Sequence, residues 1–242
     1  MKLFDPLFIF AISLIGVVGG IPYTTRVVSS ISNLSKHIIA ISVFIQSGIL
    51  AALSSFIGSY FANKGNFSFS ITTLGLSSEV PLVLAIILGF LASLLVNLLD
   101  KAMFGEVRKS IPLIQKPEIK EIPLLALYGG IFEEVFARLF ILSLFAYLFS
   151  PLGQTGLIIS VLLSSFIFAI AHLPSVTFLI NRSKAMIKRA VLLNSLVGIL
   201  LGFLFIYFGL FYSIVSHGTF DIVFNLMEYK EKGNRRRQSS GK

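Results

Sequence analysis

Residues 122–149 read IPLLALYGGIFEEVFARLFILSLFAYLF, and they are the strongest indication of the fold class. This stretch is 28 residues long and almost wholly apolar, and about 20 apolar residues are enough for an α-helix to cross a bilayer. Near its centre it carries three charged side chains, Glu133, Glu134 and Arg138. A charge at mid-bilayer costs roughly 2.5–3.5 kcal/mol on insertion scales, so charges at this depth indicate function. The stretch therefore predicts a transmembrane helix that contributes to a polar site.

The composition of the whole chain is typical of a membrane protein. Of its 242 residues, 55% are hydrophobic and 13% are charged, with a mean hydropathy of +0.90, whereas soluble domains have about 25% charged residues. Apolar runs of spanning length predict an all-α, polytopic helical membrane protein, with about seven transmembrane helices around a polar intramembrane cavity. The predicted spans are 7–27, 38–61, 80–99, 123–149, 156–178, 190–208 and 211–227.

These spans predict a single transmembrane domain over residues 1–227, with the motif-bearing core at 123–227. Residues 228–242 are polar and basic, so we expect a disordered cytoplasmic tail. Lysine and arginine favour the cytoplasmic side of a membrane. With the N-terminus outside, seven spans place 17 of the 20 Lys and Arg residues inside and two outside. The sequence therefore predicts a multi-pass integral membrane protein with a cytoplasmic C-terminus.

The net charge of +9 and the absence of cysteine restrict the possible partners and chemistry. On a soluble protein such a charge would suggest nucleic-acid binding. In a membrane protein it is explained by basic loops that contact anionic lipid headgroups. We therefore expect membrane lipids as partners and no nucleic acid. Without cysteine the chain can form no disulfide, thiol nucleophile or thiolate-ligated zinc site.

Two further spans carry ionisable side chains at helical spacing. In the segment FIFAIAH, Phe168 and His172 are four residues apart and share one helix face. In the segment SHGTFD, His217 and Asp221 have the same spacing. An acid beside a histidine can fix the tautomer and orientation of the imidazole. Together with the acids of residues 122–149, these side chains predict one converging polar site.

The two adjacent glutamates are expected to differ in role. Glu134 and Arg138 lie one helical turn apart, whereas Glu133 points about 100° away from Glu134 on an ideal α-helix. The arginine can neutralise Glu134, which leaves Glu133 to face another surface as a general base. A structural salt bridge is the alternative for Glu134 and Arg138. Zinc is a further alternative, because carboxylate and imidazole groups ligate zinc, although no HExxH motif is present.

The motifs of these three spans resemble those of a known family. This is the CAAX protease and bacteriocin-processing family, also described as type II CAAX prenyl endopeptidases or Ras-converting endopeptidase-like intramembrane glutamate proteases. The resemblance covers about residues 124–225, with the motifs in the family's order. They are Glu133-Glu134-x-x-x-Arg138, Phe168-x-x-x-His172 and His217-x-x-x-Asp221.

The resemblance implies an intramembrane endopeptidase that needs no cofactor. It would hydrolyse a peptide bond, with a prenylated C-terminal CAAX sequence as the substrate class of the family. In that interpretation Glu133 and His172 activate a water, while Glu134 and Arg138 organise the site. The implied partner is a peptide or a lipidated protein.

The third motif departs from the family's pattern at one position. The resemblance implies that His217 and the residue four positions later stabilise the oxyanion. Prenyl-processing members tend to have Asn there, whereas this chain has Asp221. An ionised aspartate would repel an oxyanion, and only a protonated one could donate to it. Orienting His217 is therefore the role expected of Asp221.

Two functions from other classes also fit the residues. One is a proton-coupled membrane transporter, because intramembrane Glu, His and Asp side chains form proton relays. The sequence has no internal repeat of the kind common in transporters. The other is a non-catalytic bacteriocin-immunity or scaffold membrane protein, which would keep its role after replacement of Glu133.

Overall fold

The computed structural model describes residues 4–65, 67, 79–173 and 183–240. Every regular element within these ranges is helical, which confirms the predicted all-α architecture. The helices are α1 (Pro6–Ser29), α2 (Lys36–Lys64), α3 (Glu79–Ser110), α4 (Ile122–Leu127), α5 (Ser143–Leu148), α6 (Gly153–Ala171), α7 (Lys184–Phe208) and α8 (Leu210–Ser240), with π-helical runs at Tyr128–Glu133 and Val135–Leu142 between α4 and α5.

The chain is a multi-pass membrane protein. Within the described ranges, five helical segments are long and apolar enough to cross a bilayer. The other two predicted spans, 123–149 and 211–227, are helical as well, and the first of them contains the π-helical runs. Of the predicted span 156–178, residues 174–178 lie outside the described residues. The five segments are Pro6–Ser29, Lys36–Lys64, Glu79–Ser110, Ser150–Ala171 and Lys184–Phe208.

Contacts at the two ends of the bundle show that α1 runs in the opposite direction to α2 and to α4. At one end the backbone N–H of Phe4 donates to Asn63 Oδ1 at 2.8 Å, so the start of α1 meets the end of α2. At the other end Arg26 Nε lies 2.6 Å from Glu121 Oε1, so the end of α1 meets the start of α4. We call this second end the polar end, because the charged loops gather there.

A connected set of charged side chains, here called the polar cluster, holds the helices together at the polar end. Asp100 on α3 is fully buried and accepts hydrogen bonds from Arg189 on α7 at 2.6 and 2.7 Å. It also accepts one from Arg108 at 2.7 Å. Burying these charges is tolerable because each is paired. The cluster comprises Arg26, Asp100, Arg108, Lys116, Glu121, Arg189, Glu228, Glu231 and Lys232.

Residues 228–240, for which the sequence predicts a disordered tail, continue α8 to Ser240 in the structure. Two acids near the predicted boundary explain this continuation. Lys116 Nζ lies 2.9 Å from Glu228 Oε2 and 3.0 Å from Glu231 Oε1. Arg108 pairs with the same two glutamates. The polar composition indicated solvation, but these acids dock on cations more than 100 residues earlier in the chain.

Acid is expected to loosen the docked end of α8. Burial raises the pKa of Glu231, but the hydrogen bonds and charges of Lys116 and Arg108 outweigh burial and hold the pKa below its ordinary value. A carboxyl with a lowered folded-state pKa stabilises the fold above its unfolded pKa of about 4.3. This stabilisation is lost as the pH falls through the pKa of the carboxyl in the folded protein.

We therefore expect Glu231→Gln to have a lower thermal unfolding temperature than the wild type at pH 6, and the two curves to converge below about pH 4. Unfolding in detergent across this pH range measures the effect. Glu106→Gln is the matched control, since Glu106 pairs with Lys109 on the exposed surface and should behave as wild type. A constant difference between Glu231→Gln and wild type at every pH would contradict the assignment.

Close packing against α7 fixes the position of α6, the helix that His172 directly follows. The Gly198-x-x-x-Gly202 pattern of α7 is typical of a helix-packing surface. A Cβ at Gly198 would lie 2.8 Å from Ser165 Cβ, and one at Gly202 would lie 3.0 Å from a methyl carbon of Val161. Both contacts are too close for a side chain to fit without a shift. The two glycines therefore allow α6 to approach α7 closely.

Candidate active site

The segment between α4 and α5 presents Glu133, Glu134 and Arg138 from π-helical runs. Glu133 ends the first run, Glu134 follows it, and Arg138 lies within the second. A π-helix bonds residue i to i+5, and such turns are frequent at functional sites. Arg138 Nε lies 3.3 Å from Glu134 Oε2, so the ion pair expected from the spacing is formed. The side chain of neither residue is exposed.

Glu134 is surrounded by groups that suit a carboxylate. Ser213 Oγ on α8 donates a hydrogen bond to its Oε2, and the Arg138 guanidinium lies beside the same oxygen. The other oxygen, Oε1, lies 2.8 Å from His217 Nδ1. An ionised carboxylate only accepts hydrogen bonds, so His217 Nδ1 must carry a proton. Glu134 thereby fixes both the orientation and the tautomer of His217.

Glu133 lies on the other side of His217. Its Oε2 is 3.8 Å from His217 Nε2 and 3.6 Å from His172 Nε2. His172 Nδ1 donates to the carbonyl oxygen of Phe168 at 2.8 Å, so the neutral ring has its unprotonated Nε2 towards Glu133. These distances exceed a direct hydrogen bond, but a water beside Glu133 and either ring could contact both.

Asp221 borders this arrangement without a direct hydrogen bond. Its Oδ1 lies 3.8 Å from His217 Nε2, which is too far for a hydrogen bond. The sequence predicts that Asp221 orients His217. In the structure Glu134 makes the orienting hydrogen bond at Nδ1, and Asp221 lies beside Nε2.

The side chains of the site residues differ in their exposure to solvent. The side chains of Glu134 and Arg138 are 0% exposed. Those of Glu133 and Asp221 are each 18% exposed, and that of His172 is 28% exposed. Glu133, Asp221 and His172 are therefore the site residues that solvent can reach.

Phe168 connects the arginine to both histidines. The Arg138 guanidinium lies 5.0 Å from the centre of the Phe168 ring, in a cation–π contact. The centre of that ring is 4.6 Å from the centre of the His172 ring and 6.0 Å from that of His217. The three guanidinium nitrogens are buried and form no hydrogen bond with the described residues. Arg138 is therefore held by Glu134 and by the aromatic face.

Residues 116–223 match the family model for type II CAAX prenyl endopeptidases, Rce1-like. The match contains all three motif-bearing segments. Residues 116–223 are a CAAX protease family domain. Searches of curated proteins and of solved structures found no match to the chain.

Two residues of the CAAX protease domain complete the site although sequence reasoning missed them. One is Ser213, whose hydroxyl donates to Glu134. It lies four residues before His217, so its helical spacing could have indicated the contact. The other is Gly129, where a Cβ would clash with the Asp221 carboxylate and lie 3.3 Å from His217 Nε2. The glycine brings the backbone of the π-helical run next to α8.

We expect Gly129→Ala to reduce the activity of the CAAX protease domain by about 10²-fold, because displacing reacting groups by about 1 Å costs that much. The added methyl group must displace Asp221 or His217. Gly48→Ala is the matched control, since a Cβ at Gly48 meets nothing within 4 Å. The measurement is kcat/KM for peptide cleavage. Equal activity of the two variants would contradict the close approach.

The sequence alone does not decide whether the site binds a metal ion. No group of three or more His, Cys, Asp or Glu side chains is arranged to hold a metal ion within the ranges that the structure describes. Glu133, Glu134, His172 and His217 are of zinc-ligating types, but Glu134 is already engaged by Ser213, Arg138 and His217. The effect of a chelator on activity tests the alternative directly.

Proposed function

We propose that the chain is an intramembrane endopeptidase that hydrolyses a peptide bond by means of a water activated by Glu133 and His172. The observation that carries this proposal is the position of Glu133 Oε2, within 3.6–3.8 Å of the Nε2 atoms of both histidines. Membership of residues 116–223 in the CAAX protease family supports the same reaction class. A carboxylate base, polarising groups and a protected cavity are the parts that amide hydrolysis requires.

In the proposed reaction a water binds between Glu133 and His172. Glu133 takes one proton from it, and the water oxygen attacks the carbonyl carbon of the scissile bond. The tetrahedral intermediate collapses when the C–N bond breaks and the proton held by Glu133 passes to the leaving nitrogen. The water oxygen remains in the new carboxyl group, so the step consumes one water and needs no other reactant.

His217 is proposed to stabilise the oxyanion of that intermediate. Its Nδ1 is hydrogen-bonded to Glu134, so a protonated ring would offer its Nε2–H to the developing negative charge. Glu134 balances the charge of the ring, and Arg138 balances Glu134. Asp221 Oδ1 lies 3.8 Å from the same Nε2, so a protonated Asp221 would leave the oxyanion unopposed there.

The proposed substrate is a peptide or lipidated protein that reaches the site from the bilayer, with a prenylated CAAX C-terminus as the first class to test. We also propose that the polar end faces the cytoplasm, where basic loops contact anionic lipid. Because the chain has no cysteine, single cysteines at the exposed positions Lys230 and Lys64 would label from opposite sides of sealed vesicles. Labelling of Lys230→Cys from the outside of intact cells would contradict this orientation.

The proposed function is tested by incubating purified protein with a farnesylated CAAX peptide and its unprenylated counterpart, and by identifying the products by mass spectrometry. We expect a single cut near the farnesylated cysteine. We also expect His172→Gln to lower the rate by about 10²–10⁴-fold, the range for loss of an acid–base group.

His37→Gln is the matched control, because His37 lies exposed at the start of α2 and should have no role. A His172→Gln variant as active as His37→Gln would contradict the proposed mechanism.

A further inference from the structure

Gln46 places a polar amide on the outer surface of α2, at the depth of the bilayer interior. Residue 50 is the middle of α2 (Lys36–Lys64), and Gln46 lies four residues, or about 6 Å, from it. The hydrocarbon layer of a bilayer is about 30 Å thick, so Gln46 lies well inside it. The side chain is exposed and forms no hydrogen bond with the described residues.

This outward direction contrasts with that of other polar side chains in the spans. Ser54 on α2 and both Ser93 and Asn97 on α3 are buried inside the bundle. Lipid tails offer no hydrogen-bond partner, so an exposed amide at this depth is unfavourable. A polar group on another transmembrane helix removes that cost, and glutamine side chains form such interhelical hydrogen bonds. Gln46 therefore indicates contact with a further helix.

Gln46 belongs to a row of exposed side chains with the spacing of a coiled coil, here called the α2 stripe. Steps of four and three residues alternate along the row, as they do between the a and d positions of a heptad. The row extends about 27 Å along the helix, close to the thickness of the hydrocarbon layer. A single polar side chain within such an apolar row fixes the register of the pairing. The α2 stripe consists of Ser42, Gln46, Ile49, Leu53, Phe56 and Tyr60.

The side of α2 away from the stripe is occupied by the rest of the protein. A Cβ at Gly58 would lie 2.9 Å from the backbone of Leu139, in the second π-helical run. Ser55 on the same side is fully buried. The stripe is thus an outer surface of α2, and none of the candidate active-site residues lies on this helix. A partner can cover the stripe without contacting those residues through α2.

We propose that the α2 stripe is the interface of a homodimer, in which the Gln46 amides of two copies hydrogen-bond to each other. Two copies that insert in the same direction are related by a two-fold axis along the membrane normal, which brings identical residues together at one depth. An amide carries both a donor and an acceptor, so it is complementary to itself. A second copy therefore supplies the required polar group at the required depth, whereas lipid supplies none. The inference does not depend on the proposed function.

The oligomeric state is measured by single-molecule photobleaching in liposomes over a range of protein-to-lipid ratios. The protein is labelled once, at Lys230→Cys, an exposed position on α8. We expect two-step bleaching as the ratio rises. Gln46→Leu should weaken the dimer by about 3- to 30-fold, the range for interhelical hydrogen bonds in a bilayer. Gln46→Asn keeps the amide and should keep the dimer. Gln154→Leu, at an exposed glutamine near the start of α6, is the matched control and should dimerise as wild type.

Disulfide cross-linking locates the interface, because the chain contains no cysteine of its own. Ile49→Cys lies on the stripe and keeps Gln46, so an oxidant should cross-link two copies at this position. Phe44→Cys is the matched control. It is exposed at nearly the same depth, but at 100° per residue it points about 160° away from Gln46. It should not cross-link.

Loss of fold is separated from loss of the dimer by thermal unfolding of dilute protein in detergent. Gln46→Leu replaces a polar group with an apolar one on a surface that faces lipid, so this variant should unfold as wild type. Three results would each overturn the inference: one-step bleaching of the wild type at every ratio, equal dimerisation of Gln46→Leu and wild type, or equal cross-linking of Ile49→Cys and Phe44→Cys. Peptide cleavage plays no part in these measurements, so failure of the proposed function would leave the dimer standing.

Discussion

Glu133→Gln is expected to abolish peptide hydrolysis, with a loss of about 10²–10⁴-fold or more in kcat, the contribution of a general base. Glutamine has nearly the shape of glutamate but cannot take a proton from water. The fold should survive, because Glu133 lies 3.6 and 3.8 Å from its histidine partners and forms no short ion pair with them. The measurement is single-turnover cleavage of a farnesylated peptide, together with thermal unfolding in detergent.

Glu106→Gln provides the matched control for this prediction. It makes the same chemical change at an exposed glutamate that pairs with Lys109 on the surface. This variant should cleave at the wild-type rate. A Glu133→Gln protein that is folded and retains the wild-type rate would remove Glu133 from the mechanism and favour a transporter or scaffold role.

Arg138→Met is expected to give the largest loss of stability among the site variants, about 3–5 kcal/mol in the free energy of unfolding. The reason is that Glu134 is fully buried and would lose the guanidinium beside it, which among the described residues is its one ion-pair partner apart from His217. Breaking one side of a buried ion pair is far more costly than removing both. Lys101→Met is the control for the change of residue type, because Lys101 is exposed on α3.

The double variant Glu134→Gln with Arg138→Met separates stability from catalysis. Removing both charges should recover most of the lost stability, because no uncompensated charge stays buried. Activity should remain low, because His217 then lacks the carboxylate that balances its protonated ring. A double variant less stable than Arg138→Met alone would contradict the pairing. A fully active double variant would contradict the proposed role of Glu134.

Much of this site could be predicted from spacing within single helices. The pairs Phe168 with His172 and His217 with Asp221 lie four residues apart, and in each pair the side chains come close. Spacing of this kind is local and depends only on helix geometry. The apolar runs likewise predict the membrane helices, because the bilayer sets their length.

What spacing could not predict is contact between segments. An α-helix places Glu133 and Glu134 on different faces, and the expectation was that they serve different surfaces. In the structure they approach opposite nitrogens of the same ring, that of His217. The π-helical runs and the packing of α8 produce this arrangement, and neither leaves a periodic signal in the sequence.

The polar cluster explains in the same terms how the tail begins as a docked continuation of α8. Residues 228–242 are polar, and local composition alone favours disorder. The cations that dock Glu228 and Glu231 lie on α3 and in the loop after it. Long-range charge pairing of this kind becomes visible only when the topology is known.

In the proposed mechanism a carboxylate and an imidazole, without a metal, activate water for peptide hydrolysis. The most direct test is cleavage of a farnesylated CAAX peptide by purified protein, with and without a strong chelator, beside Glu133→Gln. We expect cleavage that the chelator leaves unchanged and that Glu133→Gln abolishes. Cleavage that stops with the chelator and returns on addition of zinc would contradict it and would reassign Glu133, His172 and His217 as metal ligands.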